Sequence, residues 1–165
     1  KYNNRKEIRV VKFLVMKNKP FVSGFGYIAL DNKSSMVSGE IIAATVYGGD
    51  ALNVAEHNNN IVYIIPEEGG HIWVDYFALS SSSQNKILAM KFLNFINQPE
   101  WAAKNAEEMY LATANKSAKK YLSKEHLNDP VIYPPKALLQ NSEMLTELTA
   151  KSNRLRAGIF LNYTK

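Results

Sequence analysis

The chain has 165 residues, 46% of them hydrophobic and 21% charged, the balance of a water-soluble globular protein. It has no cysteine, which excludes a disulfide framework and a thiolate metal site, and no apolar run near the roughly 20 residues of a membrane-spanning helix. The net charge of +5 admits an anionic partner, but Lys and Arg are scattered through "NRKEIRVVK", "SAKKYLSKEH" and "TAKSNRLRAG" without a basic and aromatic platform, so a nucleic-acid-binding fragment is the weakest reading.

The first stretch, "KYNNRKEIRVVKF", is polar and basic, lacks a signal-peptide pattern and has no start Met. It reads as the middle of a protein, and the chain as a fragment or a processed product. "GEIIAATVYG" (Gly39 to Gly48) is apolar, β-branched and closed by glycines, which predicts a buried strand. "GGDALNVAEHNNN" then predicts a short helix capped by Asp50 and ended by an asparagine cluster. "IVYIIP" predicts a second buried strand stopped by Pro66.

After an "EEGG" turn, "HIWVDYFAL" (His71 to Leu79) alternates as a strand does, placing Trp73, Asp75 and Phe77 on one face. A bare carboxylate between aromatics makes a poor core layer, because burying an unpaired charge is costly. That face is either wet or visited by a cation. Beyond the "SSSSQ" loop, "NKILAMKFLNFI" predicts a deeply packed helix capped by Asn85. A further helix starts at Pro99, and another at the cap Asn115. "NDPVIYPP" is a loop by its three prolines, and residues 136–160 predict one last helix. Alternating strands and helices give the class α/β.

No catalytic constellation emerges. His57, His71 and His126 lie in separate elements without ligand spacing, His57 and His126 on expected surface turns. No nucleophile elbow or phosphate-binding loop is present, so neither an enzyme nor a cofactor or metal is expected. Glu67 and Glu68 diverge in their turn and solvate it.

The order of "GEIIAATVYGGDALNVAE", "IPEEGGHIWVDYFALSSSSQNKILAMKFLNFINQPEWAAKNAEE", "ATANKSA" and "NDPVIYP" resembles the bacterial polyamine-binding proteins, the spermidine and putrescine receptors of ATP-driven importers. The resemblance runs from about Gly39 to Pro134 and covers the C-terminal half of such a protein. It implies a periplasmic-binding-protein-like fold of type II, with residues 1–71 in the second lobe, 72–134 in the first, and 135–165 returning to the second. It also implies that Trp73 flanks the methylene chain of an amine and Asp75 pairs with an ammonium group. Tyr47 stands where the family has Trp and keeps an aromatic wall. The family's tyrosine before "T-P-N" falls on Leu111, with Tyr110 one place earlier as the candidate. Two further family contacts fall on Leu145 and Ala29.

The implied protein is periplasmic, or extracellular and lipid-anchored, and serves a permease. The alternative is the sensing domain of a membrane receptor. A basic chain gains nothing from long-range steering of cations, so the pocket itself is expected to be acidic. A half-protein with uncovered apolar faces is also expected to self-associate.

Overall fold

Side-chain caps set many of the helix starts, as polar residues before apolar runs dictate. The computed structural model describes residues 4–164. In chain order it comprises α1 (Arg5–Asn18), a single 3-10 turn (Lys19–Phe21), α2 (Ser35–Ser38), α3 (Gly48–Ala55), β1 (His71–Ile72), α4 (Lys86–Ile96), α5 (Pro99–Glu108), a 3-10 helix (Lys116–Tyr121), α6 (Lys124–Asn128), α7 (Lys136–Leu139), β2 (Glu143–Met144) and α8 (Ala150–Tyr163). Asn4, Ser34, Asn115, Ser123 and Thr149 cap five of the helices through their side chains. Pro99 opens α5 as expected. Helix α3 begins earlier than expected, at Gly48, and Asp50 lies in its first turn instead of capping it.

The chain forms two units. One is drawn from Lys1–Tyr27 and Leu145–Lys165, the other from Ile28–Met144. In the first, α1 packs on α8 with Ile8 buried. Lys19 Nζ donates to the carbonyl of Asn162 at 2.8 Å, so the C-terminal ends of the two helices lie together. This places a cation on the negative end of α8. Phe25 closes the unit edge-on against Phe160 and Tyr163. Helix α1 thus forms in the polar, basic stretch at the start of the chain, whose composition predicts no helix.

The second unit has its core where α5 meets the 3-10 helix, with Ala103, Ala106, Ala118 and Leu122 buried. Small residues let these two elements approach closely. Ser123 N donates to Glu107 Oε1 at 2.7 Å, which ties α5 to the start of α6. His126 is buried rather than on a surface turn: its Nε2 pairs with the Leu111 carbonyl at 3.1 Å, and its ring meets Tyr133 edge-on. Ala51 and Val54 of α3 are buried as well.

The expected strands are only partly realised. Among the described residues the one ladder is the parallel pair His71↔Glu143 and Ile72↔Met144. Residues 61–65 keep the period of a strand, with Val62 and Ile64 each 73% exposed and their neighbours half-buried. They have no ladder neighbour among the described residues, nor do residues 40–46 and 73–79. The α/β class is thus represented by a helix-rich structure with little sheet. Helix α4 departs from expectation for the same reason: none of its residues is buried, although Phe95 rests on Trp101 of α5 with ring centroids 4.9 Å apart.

The single helix expected over 136–160 is broken by competing bonds. Asn141 Nδ2 donates to the Glu67 carbonyl at 2.8 Å, Gly70 N donates to Ser142 Oγ at 2.9 Å, and Glu143 N donates to the Gly70 carbonyl at 3.1 Å. These contacts divert residues 140–144 into β2. The close approach needs Gly69, whose φ is +100° and whose absent Cβ would lie 2.7 Å from Ser142 N and closer still to the Asn141 carbonyl. Gly69→Ala should therefore lower stability by about 1–3 kcal/mol in urea unfolding and alter the near-ultraviolet signal of Trp73. A variant with wild-type stability and signal would show that the turn relaxes freely.

Hydrogen bonds from the backbone and side chain of Ser123 hold the Glu107 carboxyl below its ordinary 4.5, against a smaller opposing effect of burial. A depressed carboxyl stabilises the fold above the unfolded value, and this contribution is lost as pH falls through the folded one. Glu107→Gln should destabilise the protein at pH 7 and flatten the loss of stability below about pH 4.5, as followed by thermal unfolding. An acid limb as steep as the wild type's would place the titration elsewhere.

Candidate functional site

Three of the four residues singled out by the sequence come from the part of the second unit that the 66–72 turn and α3 organise. Tyr47 is the N-cap residue of α3, and Trp73 follows directly on β1. Their ring centroids are 4.8 Å apart at 54°. Trp73 is 38% exposed and Tyr47 51% exposed, so the pair is an open aromatic wall and not a core contact. The pairing joins two segments through tertiary structure alone. Asp75 lies exposed two residues beyond Trp73 and has no hydrogen-bond or ion-pair partner among the described residues. An unpaired carboxylate beside an aromatic wall can take an ammonium group through a charge-assisted hydrogen bond, while the rings cover adjoining methylenes.

Tyr110 has a different setting. It stands just past α5 in the left-handed region, with φ +50°. Its hydroxyl donates to Glu56 Oε1 at the end of α3. This bond to Glu56, with burial and the nearby charges of Glu56 and Glu108, raises the phenol above its ordinary 10.0. Gly49 lets α3 come this close, since a Cβ there would lie 2.8 Å from the Met109 carbonyl. The Tyr110 hydroxyl is thus engaged within the protein. Leu111 is half-buried and Ala29 exposed, while Leu145 is exposed and belongs to the other unit.

His71 was not singled out as a site residue by the sequence. Its ring stacks with that of Trp73, centroids 6.4 Å apart at 13°. The signal was available, because residues two apart on an alternating segment share a face. Glu56 could not have been found that way. Only the fold brings it to Tyr110.

Charge is divided unevenly between the two units. The unit Ile28–Met144 carries thirteen Asp and Glu against nine Lys and Arg, a net of −4. The other unit carries eleven Lys and Arg against two Glu, a net of +9. Tyr47, Trp73 and Asp75 all lie in the acidic unit. An open concavity of about 620 Å³ elsewhere in that unit is lined by Lys86 and Lys91 with Ser82 and Asn85, and by no carboxylate. It suits an ammonium ligand badly. Among the described residues no group of His, Asp and Glu is placed to hold a metal, and no helix is long and apolar enough to cross a membrane.

Comparison with known proteins gives these features a setting. The chain is 31% identical over 161 residues to a spermidine/putrescine-binding periplasmic protein of Escherichia coli, covering 93% of this chain and 45% of that protein. It is 33% identical over 147 residues to a norspermidine sensor of Vibrio cholerae, covering 88% of this chain and 41% of the sensor. A putrescine-binding periplasmic protein of Pseudomonas aeruginosa is 31% identical over 161 residues, with 92% and 42% covered. The chain thus spans less than half the length of these relatives, which are binding proteins and a sensor. Residues 14–134 match the family of bacterial extracellular solute-binding proteins, and the chain belongs to that family.

Proposed function

We propose that this chain forms the amine-contacting part of an extracytoplasmic binding protein for polyamines. The observation that carries the reading is the exposed Tyr47–Trp73 pair with the unpartnered Asp75 beyond it, in a unit of net charge −4. A polyamine is a string of ammonium groups joined by methylenes, and its receptor needs carboxylates for the first and rings for the second. Asp75 takes an ammonium group, Tyr47 and Trp73 flank the methylenes, and Tyr110 contributes when its hydroxyl is released from Glu56. The acidic unit attracts the cation at short range, while screening beyond about 8–10 Å limits the opposing effect of the basic unit.

The proposed frame is the two-lobed α/β fold, with residues 72–134 in one lobe and 1–71 and 135–165 in the other. The strand-like period of residues 61–65 supports it, and the relatives' greater length leaves room for strands that would pair these segments. Lobe closure around the amine is then read by the permease of an ATP-driven importer. The similarity to a norspermidine sensor favours a second reading, in which closure signals instead of feeding transport.

Calorimetric titration of the protein with spermidine, norspermidine and putrescine tests the reading, and absence of heat with all three would overturn it. Asp75→Asn should weaken binding by about tenfold to a few hundredfold, because a hydrogen bond to a charged group contributes roughly 1.5–3 kcal/mol. Unchanged affinity would remove Asp75 from the site.

Tryptophan fluorescence offers an independent check of the wall. Spermidine should change the emission, and Trp73→Ala should abolish most of that change. Trp101 lies on α5 against Phe95, so Trp101→Phe should leave both the change and the affinity intact. A response carried by Trp101 alone would refute the placement.

A further inference from the structure

The basic unit holds a groove of its own, apart from Tyr47, Trp73 and Asp75. Helices α1 and α8 enclose a groove of about 320 Å³ rimmed by Arg5, Arg9 and Lys12 from α1 and by Arg154 from α8. The three α1 cations follow one another by four and three residues, so they stand in a row along one helix face over roughly 10 Å. Leu155 and Ile159 form the apolar floor. At Gly158 an added Cβ would meet nothing within 4 Å, so the groove is open there.

None of the four rim cations has a carboxylate partner among the described residues. Glu7 and Glu147 are the two acidic residues of this unit, and neither lines the groove. Four like charges around an apolar trough repel one another and leave greasy surface wet. Both costs fall when a partner supplies negative charge and apolar side chains together. The net of +9 repels a polyamine, so this groove is no second amine site.

We propose that the groove is a docking site for an acidic amphipathic helix of a partner protein. Its carboxylates follow one edge at spacings of four and three residues, opposite Arg5, Arg9 and Lys12. Its apolar face covers Leu155 and Ile159, and its backbone passes over Gly158. A concave trough with a directional row of charges favours a helix over a lipid surface, which meets a flat or convex face. The inference stands independently of the amine reading, because the site and its partner chemistry are opposite in sign.

The test uses a fluorescein-labelled synthetic helix with Glu at i, i+4 and i+7 and Leu on the adjoining face, followed by anisotropy against the protein. Arg9→Glu/Lys12→Glu should weaken binding by on the order of tenfold. Lys116→Glu/Lys124→Glu, an equal charge change in the acidic unit, should change it less than about twofold. Gly158→Trp, which fills the trough without altering charge, should also block the peptide, and circular dichroism should report intact folding for each variant. Equal loss in both charge reversals, or binding indifferent to Gly158→Trp, would reduce the site to general charge attraction and overturn the proposal. So would absence of peptide binding together with groove-dependent binding to phosphatidylglycerol vesicles, which would assign the surface to a membrane.

Discussion

The 66–72 turn is held by residues 141–143, and the placement of the candidate site depends on that hold. Hydrogen bonds connect the two stretches, among them those from Asn141 to Glu67, from Gly70 to Ser142, and from Glu143 to Gly70. Gly69 makes the approach sterically possible, because any Cβ would overlap the backbone at Asn141 and Ser142. The short parallel ladder that follows ends at Ile72, immediately before Trp73. A second close approach, at Gly49, seats α3 against the end of α5 and so positions Tyr47 at its start. Two glycines thereby bring together two aromatic rings that the sequence separates.

The protein divides its charge as well as its chain. One number, +5, describes a molecule whose larger unit is acidic and whose smaller unit is strongly basic. The aromatic pair and Asp75 sit in the acidic unit, where a cation is welcome. The α1–α8 groove sits in the basic one, where it is not. Chain-level net charge therefore describes neither unit.

Exposed apolar side chains are unusually common for a water-exposed protein. Ile42 is 94% exposed, α4 has no buried residue, and residues 73–79 present aromatic groups to solvent. The buried core of the larger unit is built mainly from alanines in α5 and the 3-10 helix. Such a core needs close backbone approach, which Asn115, Ser123 and Glu107 secure through capping and side-chain hydrogen bonds. Order in this part of the chain rests on polar ties around small side chains more than on large apolar ones.

Much of the local structure was legible in the sequence. Pro99 and the cap Asn115 marked helix starts, Asn85 marked the start of α4 although its side chain makes no capping bond, the glycine and proline clusters marked turns, and "HIWVDYF" marked an unusual face. The resemblance read from those same residues agrees with the family to which the chain belongs. What failed were the inferences needing a neighbour. Apolar runs at 39–48 and 61–66 said strand, but a strand is a ladder only with a partner, and none is present for them among the described residues. The apolar helix α4 said buried, but burial is a property of what packs against it. Tyr110 was read from its place in the chain, while its hydroxyl is directed by Glu56, a residue close only in space. The sequence by itself determined residue chemistry, caps and turns, because these act within a few residues. Only tertiary structure decided which segments meet, because hydrogen bonds between distant strands and the overlap of side chains depend on the path of the whole chain.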